Sequence, residues 1–198
     1  MSLLSFYLDL FQALDDIGAP YMIVGAFGAN AFGLGRSTLD VDIVVALREE
    51  QCDALAARFP PPRYYADPEQ MREGIALGMM FNLIDSERGA KADLTPLASN
   101  QSAQRAFGRR IRRSFRDEQG AAFEAWCAHV DDIILGKLSA WQEGRSAKHL
   151  NDIATIVRFD AAGLNARYPI DRDYVALGAA EIGPEALRAW REIVARSG

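Results

Sequence analysis

The chain has 198 residues, of which 49% are hydrophobic and 25% charged, and its formal net charge is −5. This size and apolar content suit one globular domain, or one domain with a small helical addition, built around a sizeable core. The acidic balance argues against binding nucleic acid through overall charge, so any nucleic acid must be met by a local basic patch.

Hydrophobic periodicity predicts helices and strands in the first two thirds of the chain and helices thereafter. Residues 2–17 form an amphipathic helix that Gly18 and Pro20 end. The remaining predicted elements are strand 20–25, helix 27–33, strand 39–46, helix 48–58, a short strand 63–66, a helix beginning at Asp67-Pro68, hairpin strands 79–85 and 90–95, strand-like pieces near 109–115 and 122–128, and helices 130–143, 147–159, 171–179 and 184–196. This order predicts an α+β (mixed α/β) fold, with a mixed sheet flanked by helices. We expect a core over residues 1–128 and a C-terminal helical region over 129–198, packed on that core.

Two aspartates lie in one apolar strand, in the sequence Asp40-Val41-Asp42. Side chains alternate between the faces of a strand, so Asp40 and Asp42 project side by side while Val41 and Ile43 face a core. Two such carboxylates repel each other unless a cation lies between them, and Mg²⁺ with oxygen ligands is suited to that place. The alternative is a strand that runs out into solvent with two acids at its mouth.

A glycine turn and hydroxyl residues precede the acidic pair. Gly25-Ala26 follows the first strand, and Arg36, Ser37 and Thr38 come directly before the acidic strand. A glycine after a strand lets a phosphate approach the backbone, and the following helix offers free N–H groups. We therefore expect these five residues to bind a triphosphate; the alternative for the glycines is ordinary turn formation.

A third carboxylate is expected on the hairpin strand 90–95. Asp93 lies in mid-strand with Ala92 and Leu94 on the opposite face, so its side chain can point toward the acidic pair. Asp85 is the competing candidate, but it lies where a strand meets a turn, and aspartates there commonly accept turn hydrogen bonds.

These residues resemble the signature of the nucleotidyltransferase superfamily, which has the DNA polymerase β-like fold. The similarity lies in Gly25-Ala26, thirteen intervening residues, and then Asp40-Val41-Asp42-Ile43. The stretch 33–42 is similar to bacterial minimal nucleotidyltransferases, including toxins related to the abortive-infection AbiE system. The stretches 130–138 and 149–153 resemble later helices of the family and contain Lys137 and Asp152. Ala26 departs from the family pattern, which has glycine or serine at this position. Alanine supplies no hydroxyl to a phosphate.

The resemblance implies that Asp40, Asp42 and Asp93 hold Mg²⁺, as two ions, with Mn²⁺ as a substitute. It implies transfer of a nucleoside monophosphate from a nucleoside triphosphate to an acceptor hydroxyl, with release of pyrophosphate. Asp93 would take the acceptor proton, Lys137 would face the triphosphate, and Asp152 would orient Lys137 or bind the acceptor. The acceptor stays open between RNA such as tRNA, a protein and a small molecule, and a cognate antitoxin-like partner is an expectation of the same resemblance.

Other interpretations of the residues remain open. Lys137 can extend past the core edge, and Asp152 can pair with Lys148. The whole chain can be a catalytically silent module that binds nucleotide or a partner, or a metal-dependent phosphoesterase. An arginine cluster can dock a polynucleotide or a triphosphate, or be a solvated face. The cluster consists of Arg105, Arg109, Arg110, Arg112, Arg113 and Arg116.

The two cysteines, Cys52 and Cys127, have no metal-type spacing, so we expect buried free thiols in a reducing compartment. No signal-peptide pattern is visible and no run is long enough to span a membrane. The sequence thus predicts a cytoplasmic protein without a membrane partner.

Overall fold

The computed structural model describes residues 3–35, 38, 40–99, 101–116 and 122–197. These residues form two compact units. The first unit takes the described residues among 1–27 and 37–127, and the second takes those among 28–36 and 128–198. In the part of the chain that the structure describes, no helix has both the length and the apolar character needed to cross a membrane.

The first unit is built on a seven-stranded mixed sheet. Its strands are β1 (Tyr21–Ile23), β2 (Asp40–Val45), β3 (Tyr64–Tyr65), β4 (Phe81–Asp85), β5 (Ala90–Pro96), β6 (Ile111–Arg116) and β7 (Ala122–Cys127). They lie in the order β3-β4-β5-β2-β1-β7-β6. The pairs β2–β5 and β1–β7 are parallel, and the remaining four pairs are antiparallel. The strand that carries the acidic pair is therefore central, between β5 and β1.

Helices complete this unit. They are α1 (Leu3–Asp16), α2 (Gly25–Asn30), α3 (Cys52–Ala57), α4 (Pro68–Leu77) and α5 (Gln101–Gly108), and α2 continues into the second unit. Aromatic rings on α1 bury against the sheet and its neighbours: Phe11 stacks on Tyr21 with ring centroids 5.5 Å apart, and Phe6 stacks on Tyr64 at 5.9 Å. Burying a large ring contributes about 1.5–3 kcal/mol, so these aromatic contacts stabilise the packing of α1 on the sheet.

The second unit is mainly helical. Its long helices are α6 (Val130–Gly144), α7 (Ala147–Ala161), α8 (Arg172–Ile182) and α9 (Pro184–Ser197). Apolar stripes on these helices form its core, with Ile134, Ile156 and Trp190 almost fully buried. The buried carboxylate of Asp131 accepts a hydrogen bond of 3.0 Å from the backbone N–H of Asp171, which ties the segment before α8 to α6.

The predicted fold class is confirmed: a mixed sheet is flanked by helices and followed by a C-terminal helical portion. Differences are local. The helix expected over 27–33 is α2, which begins two residues earlier, at Gly25. The helix expected over 48–58 begins with a 3₁₀ turn (Glu49–Gln51) before α3, and α5 was not predicted. Asp67 caps α4 by accepting a hydrogen bond from the backbone N–H of Glu69, as its sequence predicts.

Candidate active site

Acidic side chains meet on one face of the sheet where β2 and β5 pair. Asp42 lies directly opposite Asp93 in this parallel pair, and Asp40 lies opposite Lys91. Val41 and its β5 partner Ala92, on the other face, are fully buried, whereas Asp42 and Asp93 are half-buried and Asp40 is exposed. Since neighbouring strands are about 4.8 Å apart, the register brings the two strands' carboxylates side by side.

Asp93 already has two hydrogen-bond partners. The side-chain amide of Asn82, its register partner on β4, donates to Oδ1, and the Lys91 ammonium lies 2.9 Å from Oδ2. The hydrogen bond to Asp93 raises the pKa of Lys91 above its ordinary value, and the charges of Asp93, Asp40 and Asp42 raise it further against the opposing effect of burial. Lys91 is therefore a cation held among three carboxylates.

Gly25 lies against the carboxylate of Asp42. Its φ is +62°, and a Cβ added there would be 2.0 Å from Oδ2 of Asp42. The backbone N–H of Val24 also donates to the carbonyl oxygen of Asp42, over 2.9 Å. Only glycine leaves room for this approach, so the glycine turn and the acidic strand are fitted to each other.

The other residues predicted to bind a triphosphate are placed as follows. Ala26 is the second residue of α2. The hydroxyl of Thr38 donates to the carbonyl oxygen of Asp40 over 2.9 Å and accepts from its backbone N–H over 3.2 Å, which fixes the start of β2. Arg36 and Ser37 lie outside the described residues. Triphosphate binding by these residues stays a prediction.

The donor set fits a hard divalent cation chemically, because three carboxylates on one face offer the oxygen ligands that Mg²⁺ prefers. The close approach of Gly25 to Asp42 also indicates that the Asp42 carboxylate has a fixed position. Within the described ranges, however, no three Asp, Glu, His or Cys side chains are already arranged as a group that can hold a metal ion. The Asp93 side chain is turned toward Lys91 instead, so ligation of a metal by all three carboxylates requires this ion pair to open.

Asp85, the competing candidate, is on the opposite face of the sheet. Its side chain is fully buried and accepts hydrogen bonds of 2.8 Å from Arg63 and 2.7 Å from Arg88. Its register partner Ala90 is also fully buried. Asp85 is therefore buried at the turn end of the β4–β5 hairpin, and it does not lie beside Asp42.

Lys137 and Asp152 form a buried ion pair in the second unit. The ammonium of Lys137 lies 2.7 Å from Oδ2 of Asp152, and the side chains are only 6% and 7% exposed. Asp152 thus pairs with Lys137, whereas pairing with Lys148, the alternative that its spacing allowed, stays a prediction. The orientation of Lys137 by Asp152, the binding of the acceptor by Asp152 and an approach of Lys137 to the triphosphate all stay predictions.

The arginine cluster lies around α5 and β6. The Arg110 guanidinium is over the rings of Phe107 and Trp126, 4.1 and 4.9 Å from their centroids. Arg112 is over the same Trp126 ring, at 5.3 Å. These contacts anchor part of the cluster on aromatic rings, and docking of a polynucleotide there stays a prediction.

Sequence reasoning missed Lys91 and Asn82. The signal for Lys91 was present, because it lies two residues before Asp93 and therefore on the same face of the strand. Asn82 required knowledge of the hairpin register, which places it opposite Asp93.

Comparisons with protein-family models and with curated proteins find no match for this chain. Among solved structures, the chain is similar to the antibiotic-resistance factor ANT(2'')-Ia, with 14% sequence identity and a TM-score of 0.50 over 97% of this chain and 92% of that chain. Two weaker similarities are to JHP933 from Helicobacter pylori (12% identity, TM-score 0.46, 98% and 90% covered) and to a CCA-adding enzyme with ATP (15% identity, TM-score 0.38, 98% and 52% covered). At this identity the likeness to ANT(2'')-Ia concerns the fold alone, and the mixed sheet flanked by helices is the fold class that the sequence predicted.

Proposed function

We propose that this chain is a metal-dependent nucleotidyltransferase that moves a nucleoside monophosphate from a nucleoside triphosphate to an acceptor hydroxyl. The observation that carries the proposal is the register of β2 on β5, which sets Asp42 beside Asp93 with Asp40 on the same face. The fit of Gly25 to Asp42 supports it, because a glycine without a side chain leaves room for the Asp42 carboxylate beside the turn.

In this proposal Asp40, Asp42 and Asp93 would hold Mg²⁺, which would supply electrostatic stabilisation of the charge that develops during phosphoryl transfer. Asp93 accepts the proton of the acceptor hydroxyl. The acceptor oxygen forms a bond to the α-phosphorus, the bond from that phosphorus to its bridging oxygen breaks, and pyrophosphate leaves. Asn82, which donates to Oδ1 of Asp93, fixes the orientation of that carboxylate.

The test is incubation with each labelled nucleoside triphosphate, Mg²⁺ and either total RNA or cell extract, followed by identification of the labelled species. Asp42→Asn should reduce transfer by at least about 100-fold, as expected for the loss of one electrostatic stabiliser. Asp173→Asn is the matched control, since Asp173 is an exposed aspartate in the first turn of α8. Full transfer by the Asp42 variant would refute the proposal.

Two other functions have distinct outcomes in the same assay. Triphosphate binding without release of pyrophosphate would indicate a silent binding module. Release of nucleoside monophosphate or inorganic phosphate, with no labelled acceptor, would indicate a phosphoesterase. The relation to AbiE-type toxins rests on the sequence of residues 33–42. Its test compares the growth of cells that express the wild-type chain with the growth of cells that express the Asp42→Asn variant.

A further inference from the structure

Four charged side chains lie together on the face of the sheet that carries the candidate active site. Asp40 and Asp42 are on β2, and their register partners Lys91 and Asp93 are on β5. Lys91 is the positively charged member of these four, and its ammonium lies 2.9 Å from Oδ2 of Asp93. The Asp93 side chain is only 12% exposed, whereas that of its lysine partner is 36% exposed, so the carboxylate is the more buried member of this ion pair.

We propose that Lys91 is a built-in counter-ion of the carboxylate cluster that competes with the divalent cation for Asp93. This inference rests on the proposed function, because it concerns the same three carboxylates. Without a metal, adjacent carboxylates repel each other, and a cation among them relieves that repulsion. Lys91 supplies this cation from the protein itself.

A divalent ion that uses Oδ2 of Asp93 must first displace the Lys91 ammonium. Because Lys91 and Asp93 lie on the same face of β5, the positive charge of the lysine would repel an ion held by Asp93. Asn82 continues to hold Oδ1, so Asp93 keeps its place while Lys91 leaves. The lysine therefore weakens metal binding and keeps the empty site ordered. The site therefore binds a divalent cation only when the concentration of that cation is high enough to displace Lys91 from Asp93.

The test measures Mn²⁺ binding to the full chain by electron paramagnetic resonance of free Mn²⁺, without nucleotide. Lys91→Met keeps the length of the side chain and removes its charge, and we expect it to bind Mn²⁺ about tenfold more tightly than the wild type. Lys91→Arg keeps the charge and should bind like the wild type. Lys148→Met is the matched control, because Lys148 is an exposed lysine on α7.

Thermal unfolding gives a second readout. Without metal, Lys91→Met should melt at a lower temperature than the wild type, and saturating Mn²⁺ should raise its melting temperature by more than it raises that of the wild type. Lys91→Gln, which has the same expectation, replaces Lys91→Met if the latter does not fold.

Failure of this inference differs from failure of the proposed function. Equal Mn²⁺ affinities of wild type and Lys91→Met, both abolished by Asp42→Asn, would overturn the competition and leave the metal site standing. No Mn²⁺ binding by either protein would overturn both. Tighter binding by Lys91→Met that Asp42→Asn does not change would overturn the inference, because the ion would then be bound elsewhere.

Discussion

Replacing Gly25 with alanine tests how closely the glycine turn is fitted to the carboxylate of Asp42. At φ +62° an alanine pays about 1–2 kcal/mol for the left-handed backbone conformation. Its Cβ would also lie 2.0 Å from Oδ2 of Asp42, whereas real Cβ atoms essentially never come within 3.0 Å of a non-bonded heavy atom. The carboxylate must therefore retreat by about 1 Å, and leaving its rotamer costs about 0.5–1.5 kcal/mol more.

We expect Gly25→Ala to lower the free energy of unfolding by about 2–3 kcal/mol, measured by urea denaturation followed by circular dichroism. The matched control is Gly89→Ala, because Gly89 has a φ of +63° and open space where its Cβ would be. Gly89→Ala is destabilised by the backbone conformation alone, so the difference in free energy of unfolding between the two variants measures the contact with Asp42. The displaced carboxylate should also weaken Mn²⁺ binding in the Gly25 variant and not in the Gly89 variant.

A double-mutant cycle completes the argument. In an Asp42→Ala background the oxygen that collides with the new Cβ is gone, so Gly25→Ala should cost at least about 0.5 kcal/mol less there than in the wild type. Equal costs at Gly25 and Gly89, together with an absence of coupling to Asp42, would refute the close fit.

Three further outcomes follow from buried groups. Lys137→Met should lower the free energy of unfolding by about 3–5 kcal/mol, because it removes the ammonium that lies 2.7 Å from the buried Asp152 carboxylate. The double variant Lys137→Met/Asp152→Leu should recover most of this loss, and an equally large loss in both variants would contradict the reasoning. Cys52 and Cys127 are both buried, so a thiol reagent should label neither in the folded protein and both after denaturation. Burial raises the pKa of the Cys127 thiol from 9.0 to about 12. The unfolded chain therefore loses this proton first, and the free energy of unfolding should fall as pH rises between those values, less steeply in Cys127→Ala.

The acidic site was predictable in part because its signals are local. The alternation of Asp40 with Val41 fixes which face each side chain takes, and the structure keeps that alternation. The same rule separated Asp93 from its buried neighbours on β5. The pairing of Asp42 with Asp93 was not determined by either strand alone, because register depends on contacts between segments that are distant in sequence.

The sheet order was beyond sequence reasoning for the same reason. β5 follows β4 through a hairpin, yet its other neighbour is β2, some forty-five residues earlier in the chain. Helix α5 was missed because its amphipathic stretch spans only two turns, with Ala106 and Phe107 as its buried residues. Long, strongly periodic segments such as α6 and α7 were predicted within about two residues of their observed ends.

Strand β6 forms one border of the sheet, and its outer side has no further strand among the residues that the structure describes. Such a border can recruit the same strand of a second molecule and begin aggregation. The arginines of β6, including Arg112 and Arg113, would bring positive charges together if two copies joined border to border. These arginines therefore discourage the chain from polymerising through its own sheet.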